Sequence, residues 1–320
     1  METLDDRAAQ LALRLWGADL LGAQRITGGE RSVYRFSSGG RGFYLVMTPA
    51  ETRTRAAVEA ETELVRYLSD RGLAVAAPVP SRRDAYVEVI EVGSTAVYAT
   101  TYHEAPGEVF HYDAAADNRA HFRLRGRMLG RLHALSREYA LTNPASVQRL
   151  PRWDDDRRLR DASRYVPSSD AVFWSELREL DAWLKALPND ATSFGSIHGD
   201  FGVTNYRVVG DEVTLFDFGD ACRHWYAYDV AVSLYPYGDR PERGTLLAAT
   251  LEGYAAESPF APRWRESITQ FCRFRVVYMY LVYAERWGLP STVPAQVEWF
   301  ARKRHRMRHP ADWTITSGYG

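Results

Sequence analysis

Lysine is almost missing from this chain. Of its 40 basic residues only Lys185 and Lys303 are lysines, and residues 1–184 contain none. Any cationic contact in the first half therefore falls to arginine, whose planar fork does not behave like lysine's point charge. Cysteine is nearly absent as well. Cys222 and Cys272 are the only two and have no metal-ligand spacing, which excludes a disulfide framework and fits a reducing, cytoplasmic compartment. Long hydrophobic runs are lacking: the most apolar stretch, residues 276–284, is flanked by Arg275 and Glu285 and is too short to span a bilayer, so no membrane partner is expected. An excess of one charge is also lacking. The balance of 40 basic and 41 acidic residues, net −1, argues against a dedicated nucleic-acid binder. The opening Met1-Glu2-Thr3-Leu4-Asp5-Asp6 is acidic and is not read as a signal peptide. No internal repeat is seen, and nothing in the sequence sets an oligomeric state.

What is present is an ordinary globular composition, 46% hydrophobic and 25% charged over 320 residues, enough for two lobes with ample core. Leu4, Ala8, Leu11, Leu15 and Trp16 fall at helical spacing and predict a helix over 3–21. Strand-like segments follow at 23–27, 32–36 and 42–48, the first two joined by Gly28-Gly29-Glu30-Arg31. A strong helix covers 51–70, with Glu59, Glu61 and Glu63 along it. Ala77-Pro78-Val79-Pro80 reads as a stiff connector, and 85–92 with 95–102 as a hairpin split at Gly93-Ser94. Regular structure breaks at residues 102–107, and the lobe boundary is placed between 103 and 104. His103 is read as a hinge or surface histidine. Helices are predicted at 119–139, 171–187, 229–234, 243–256, 264–287 and 294–307. Residues 141–170 form a polar insertion whose Asp154-Asp155-Asp156 run is read as a helix N-terminus.

The chemistry concentrates in residues 196–220. His198-Gly199-Asp200 is followed by Asn205 and then Asp217-Phe218-Gly219. Two short apolar segments lie between Asn205 and Asp217 and turn at Gly210-Asp211, which predicts a β-hairpin. A hairpin brings its ends together, so Asp200, Asn205 and Asp217 are expected to converge. One carboxylate can orient and deprotonate an acceptor hydroxyl, while an amide oxygen and a second carboxylate can hold Mg²⁺, a hard cation that keeps several waters. That order, with five residues from Asp to Asn, is the order of phosphoryl-transfer catalytic loops.

The His198-Gly199-Asp200-x-x-x-x-Asn205 pattern with a later metal Asp resembles the aminoglycoside phosphotransferase, choline kinase and homoserine kinase superfamily. Gly199 stands where protein kinases usually carry arginine, and Leu129-Gly130-Arg131-Leu132-His133 also resembles this family. The resemblance implies an α+β, two-lobed protein-kinase-like fold: an antiparallel N-terminal sheet with one main helix over residues 1–103, and a larger, mainly helical lobe over 104–320. It implies ATP (or GTP) and Mg²⁺ as cofactors and a small-molecule hydroxyl acceptor. Asp200 would be the base, with His198 ordering its loop, and Asn205 and Asp217 the metal ligands. Gly28 and Gly29 would cover the phosphates, Tyr102 would sit where the hinge meets adenine, and Glu61 would occupy the slot that pairs with a strand cation. Asp229 is read as structural, either capping its helix or buttressing the catalytic loop. His133 is read as a structural hydrogen-bonder, and Gly130 as a site of close helix packing.

One position departs from the pattern. The strand expected to carry that cation places Val46 there, which leaves Glu61 without its partner and makes Arg31, Arg35, Arg41 and Arg53 the candidate substitutes. The sequence therefore supports an ATP-dependent O-phosphotransferase acting on an aminoglycoside, amino alcohol or sugar. The alternative is a catalytically impaired, pseudokinase-like binding module. A protein kinase is disfavoured by Gly199 and by the lack of an activation segment after Gly219. For a polycationic acceptor, Asp154–Asp156, Glu252 and Glu285 are the candidate carboxylates.

Overall fold

The computed structural model describes residues 4–28 and 30–312. In chain order its elements are α1 (Leu4–Leu15), β1 (Ala23–Gly28), β2 (Ser32–Ser38), β3 (Arg41–Pro49), α2 (Arg55–Asp70), β4 (Glu88–Val92), β5 (Thr95–His103), α3 (Arg119–Thr142), α4 (Pro144–Arg149), α5 (Arg157–Arg160), α6 (Ala171–Ala186), β6 (Phe194–Ile197), β7 (Tyr206–Val209), β8 (Glu212–Leu215), β9 (Cys222–Trp225), α7 (Tyr226–Leu234), α8 (Arg243–Ala255), α9 (Pro262–Trp287) and α10 (Pro294–Arg308). They fall into two units. One holds residues 1–110, 139–150 and 205–219, the other residues 111–138, 151–204 and 220–320. The α+β class and the antiparallel N-terminal sheet expected from the sequence are both present.

The first unit is built on a five-stranded antiparallel sheet of order β1-β2-β3-β5-β4. Strand alternation divides its faces. Leu45 and Met47 of β3, with Val97 and Ala99 of β5, join Ala9, Ala12 and Leu13 of α1 in one core. Leu13 and Leu45 are fully buried, each contributing about 1.5–3 kcal/mol of apolar burial. Val46, Thr100 and Tyr102 lie on the other face; Val46 pairs with Thr100 across the sheet. Helix α2 starts where the Thr54 hydroxyl accepts the Ala57 N–H, an N-cap that ends the preceding turn. The β7–β8 hairpin forms around Gly210-Asp211 as expected. It is tied to the 74–76 segment by Leu215 N–H to the Ala74 carbonyl (3.0 Å) and Ala76 N–H to the Leu215 carbonyl (2.8 Å).

The second unit is mainly helical. Every residue of α7 is buried, because the helix is apolar nearly all round and so must lie inside the unit. Helix α9 packs along it. Helices α3 and α8 approach closely: a Cβ on Gly130 would lie 2.5 Å from the Tyr254 carbonyl oxygen, so a side chain there would force the helices apart. Strands β6 and β9 pair over only four residues each, too few to show alternation in the sequence, and they were not foreseen.

Two buried histidines make this unit acid-sensitive. Trp225 N–H donates to His224 Nδ1 (2.8 Å), so the neutral ring is required, and burial pushes the His224 pKa down to about 3. Burial also lowers His133. His224 stays neutral in the folded chain down to low pH, and His133 gives up its proton more readily than in the unfolded chain, which takes up protons near the ordinary value of 6.5. Stability should therefore be full above pH 6.5 and fall between there and about pH 3. Urea unfolding midpoints are expected to hold from pH 8 to 7 and drop steadily towards pH 5; a flat profile would contradict this assignment.

Candidate active site

The second unit presents the His198–Asp200 loop. Strand β6 leads directly into it, Ile197 pairing with Cys222 of β9. His198 is fully buried, and its Nδ1 accepts the Asp200 N–H at 3.2 Å. Gly199 has φ +83°, and a Cβ there would sit 2.3 Å from the Asp220 carbonyl oxygen. Positive φ and backbone contact together demand glycine, which accounts physically for the residue between His198 and Asp200.

Asp229 holds this loop from below. Its carboxylate accepts the His198 N–H and the Gly199 N–H, both at 2.8 Å, and lies 3.1 Å from His133 Nε2. His133 Nδ1 is 2.9 Å from the Tyr254 hydroxyl. One arrangement satisfies every group: Nε2–H donates to Asp229 and Nδ1 accepts from Tyr254. Burial would raise the Asp229 pKa, but the bond from His133, followed by the His198 ring and backbone N–H, holds it below the ordinary carboxylate value. Of the two readings of Asp229, buttressing stands and capping does not, because α7 begins three residues earlier with Trp225 at its cap position. His133 is the structural hydrogen-bonder expected.

Asp200 is one-third exposed and forms an ion pair with Arg275 of α9, whose own side chain is only 7% exposed. Burial opposes the charge on Arg275, yet Tyr228 and Asp200 hold its pKa above the usual arginine value. Arg125 of α3, 1% exposed, donates to the Ser233 carbonyl (2.7 Å) and towards the Phe201 carbonyl (3.5 Å). Neither arginine was singled out from the sequence. The signal was there: each is a charge embedded in an apolar helix stripe.

The first unit carries the other set. Asn205 immediately precedes β7 and Asp217 follows β8, and the Phe216 N–H donates to the Asn205 carbonyl at 3.0 Å. The hairpin thus brings the backbones of Asn205 and Asp217 together as expected. Asn205 is buried and Asp217 has φ +61°. An amide oxygen and a carboxylate suit a hard cation that keeps most of its waters. No cluster of three or more His, Cys, Asp or Glu ligands exists among the described residues. Gly28 ends β1 opposite Ser32, and Gly29 lies outside the described residues. Tyr102 is inside β5, paired with Tyr44; burial and then Glu61 push its pKa up to about 12.

Glu61, left without a partner by the sequence, has two. Arg31 reaches it with Nη1 at 3.2 Å and Nη2 at 2.9 Å, and Arg53 with Nη1 at 2.7 Å. These are two of the four substitutes the sequence offers, and neither lies on β3: Arg31 precedes β2 and Arg53 precedes α2. The carboxylates considered for a polycation are also taken. Glu252 binds Arg123 (2.7 and 2.8 Å), Glu285 binds Arg158 (2.7 Å) and Arg157, and Asp156 caps α5. Asp154 pairs with Arg152 (2.8 Å), and Asp155 accepts the Arg152 N–H (2.8 Å).

A sheet unit with a buried acid–arginine cluster, and a helical unit with a buttressed His-Gly-Asp loop, are the parts of a kinase-like small-molecule phosphotransferase. The chain belongs to the phosphotransferase enzyme family, whose pattern it matches over residues 22–266. It is 28% identical to the amicoumacin kinase of Bacillus subtilis (strain 168) over 261 residues, 78% of this chain and 76% of that one. It is 27% identical to the homoserine kinase of Caulobacter sp. (strain K31) over 234 residues, 71% of this chain and 69% of that one. Among solved structures it resembles amicoumacin kinase hAmiN in complex with AMP-PNP, Ca²⁺ and Ami, with TM-score 0.85 and 25% identity, covering 96% of this chain and 93% of that one. The chain is thus an enzyme, a small-molecule kinase of this family. No helix among the described residues is long and apolar enough to cross a membrane.

Proposed function

We propose that this enzyme transfers the terminal phosphoryl group of ATP to a hydroxyl of a small acceptor with the help of Mg²⁺. The observation that carries the reading is the His198–Asp200 loop, clamped through two backbone N–H groups by a buried carboxylate while the Asp200 side chain stays one-third exposed. Asp200 orients the acceptor hydroxyl and takes its proton. His198 fixes the backbone of Asp200. Asn205 and Asp217 hold the metal, which supplies charge neutralisation at the transferring phosphate. Gly28 and Gly29 cover the phosphates, and the chain around Tyr102 meets the base. The functional lobes are proposed to part near residues 103–104, and the compartment to be the cytoplasm, in keeping with free Cys222 and Cys272.

On the acceptor, the arginines bound to Glu252, Glu285, Asp154 and Asp156 disfavour a polycation. The likeness to amicoumacin kinase, which spans most of both chains, makes amicoumacin the first acceptor to test, followed by homoserine, amino alcohols, aminoglycosides and sugars. ATP and GTP are compared with Mg²⁺ and with EDTA, reading thermal shift and nucleotide turnover. The expected result is a metal-dependent stabilisation by ATP and turnover with one acceptor class. No stabilisation by either nucleotide would refute the proposal.

A further inference from the structure

We infer that Arg31 and Arg53 together form the phosphate grip of this enzyme, binding the nucleotide's phosphate chain from two flanking loops in place of a single cation on β3. The inference rests on nucleotide use by this chain and names the residues that carry it.

Glu61 is 3% exposed, with two guanidinium groups on its one carboxylate. Both arginines also donate to the Gly219 carbonyl, Arg31 at 3.3 Å and Arg53 at closer range. Burial opposes the charge of Arg31, and Glu61 followed by Asp217 holds its pKa above the usual value. Two cations thus face Glu61, and one of them also feels Asp217, so that the four charges together sum to zero. A divalent cation at Asp217 would turn the sum positive, which suits a polyanion.

The donors point the same way. Arg53 Nη2 is buried and has no hydrogen-bond partner. A buried cationic N–H left unpaired is costly, and a phosphate oxygen is the acceptor a guanidinium fork fits best. Val46 explains why two residues are needed. It shares the sheet face of Thr100 and Tyr102, opposite Leu45 and Met47 in the α1 core. A lysine there would emerge on the face where Tyr102 meets Glu61. With valine in its place, the charge comes from the longer arginine side chains at the start of β2 and before α2.

The test is isothermal titration calorimetry of AMP-PNP and ADP with Mg²⁺, and of adenosine by competition, on the full chain and on Arg53→Met and Arg53→Lys. Arg53→Met should weaken AMP-PNP and ADP about 10- to 100-fold, the scale of a lost charged hydrogen bond, and leave adenosine unchanged. Arg53→Lys keeps the charge but not the fork and should fall between the two, which also guards against a methionine variant that does not fold. Unchanged AMP-PNP affinity in both variants, or an equal loss for adenosine, would overturn the inference. Failure of the unaltered chain to bind any nucleotide would instead remove the proposed function on which it stands.

Discussion

Asp200→Asn is expected to lower kcat by about 10²–10⁴-fold, the range for losing a general base, with nucleotide affinity unchanged. The amide keeps the shape of the side chain and one oxygen for Arg275, but it cannot accept the acceptor's proton. Because Arg275 is almost fully buried, removing its counter-charge should also lower the melting temperature, and the two effects separate in the assay: turnover is measured well below the melting transition, and calorimetry reports nucleotide binding. A variant that turns over at a tenth of the normal rate or better would place the base elsewhere.

Asp229→Ala should be the most damaging substitution for stability. It strands two backbone donors and the His133 ring in a fully buried place. Breaking a buried charged cluster in this way costs about 3–5 kcal/mol. Chemical denaturation should show a loss of that size, and where the alanine protein does not fold, Asp229→Asn should give a smaller loss because its oxygen can still accept one N–H. A melting temperature equal to that of the unaltered chain would mean that the loop is held by something else. Activity should fall along with stability in both variants, since Asp229 sets the backbone from which Asp200 projects.

The sheet, the long helices and the hairpin were legible in the sequence because each has a local signal. Alternation marks β2, β3 and β5, helical spacing marks α2 and α3, and Gly210-Asp211 marks the turn between β7 and β8. His198–Asp200, Asn205 and Asp217 stand out as candidates for a similar reason: their spacing is short and chemical. Residues that act through long-range contacts carried no such signal. Glu61 lies on a predicted helix, and the sequence names four arginines as its possible partners but cannot choose Arg31 and Arg53 among them. Arg275 stands 75 positions from Asp200, and only folding makes them neighbours. The acidic residues proposed for a cationic acceptor show the converse: sequence can count carboxylates but cannot show that arginines have already claimed them.

The sequence alone determined the class of this protein, its candidate phosphoryl-transfer loop and the valine at position 46, where the pattern expects a cation. It could do so because composition, periodicity and short motifs are properties of neighbouring residues. The tertiary structure decided what supports that loop and which arginines pair with Glu61. A carboxylate on α7 clamps the backbone at residues 198 and 199, and two arginines on separate loops reach one glutamate. Both are matters of charge burial, and burial exists only once distant segments have packed together.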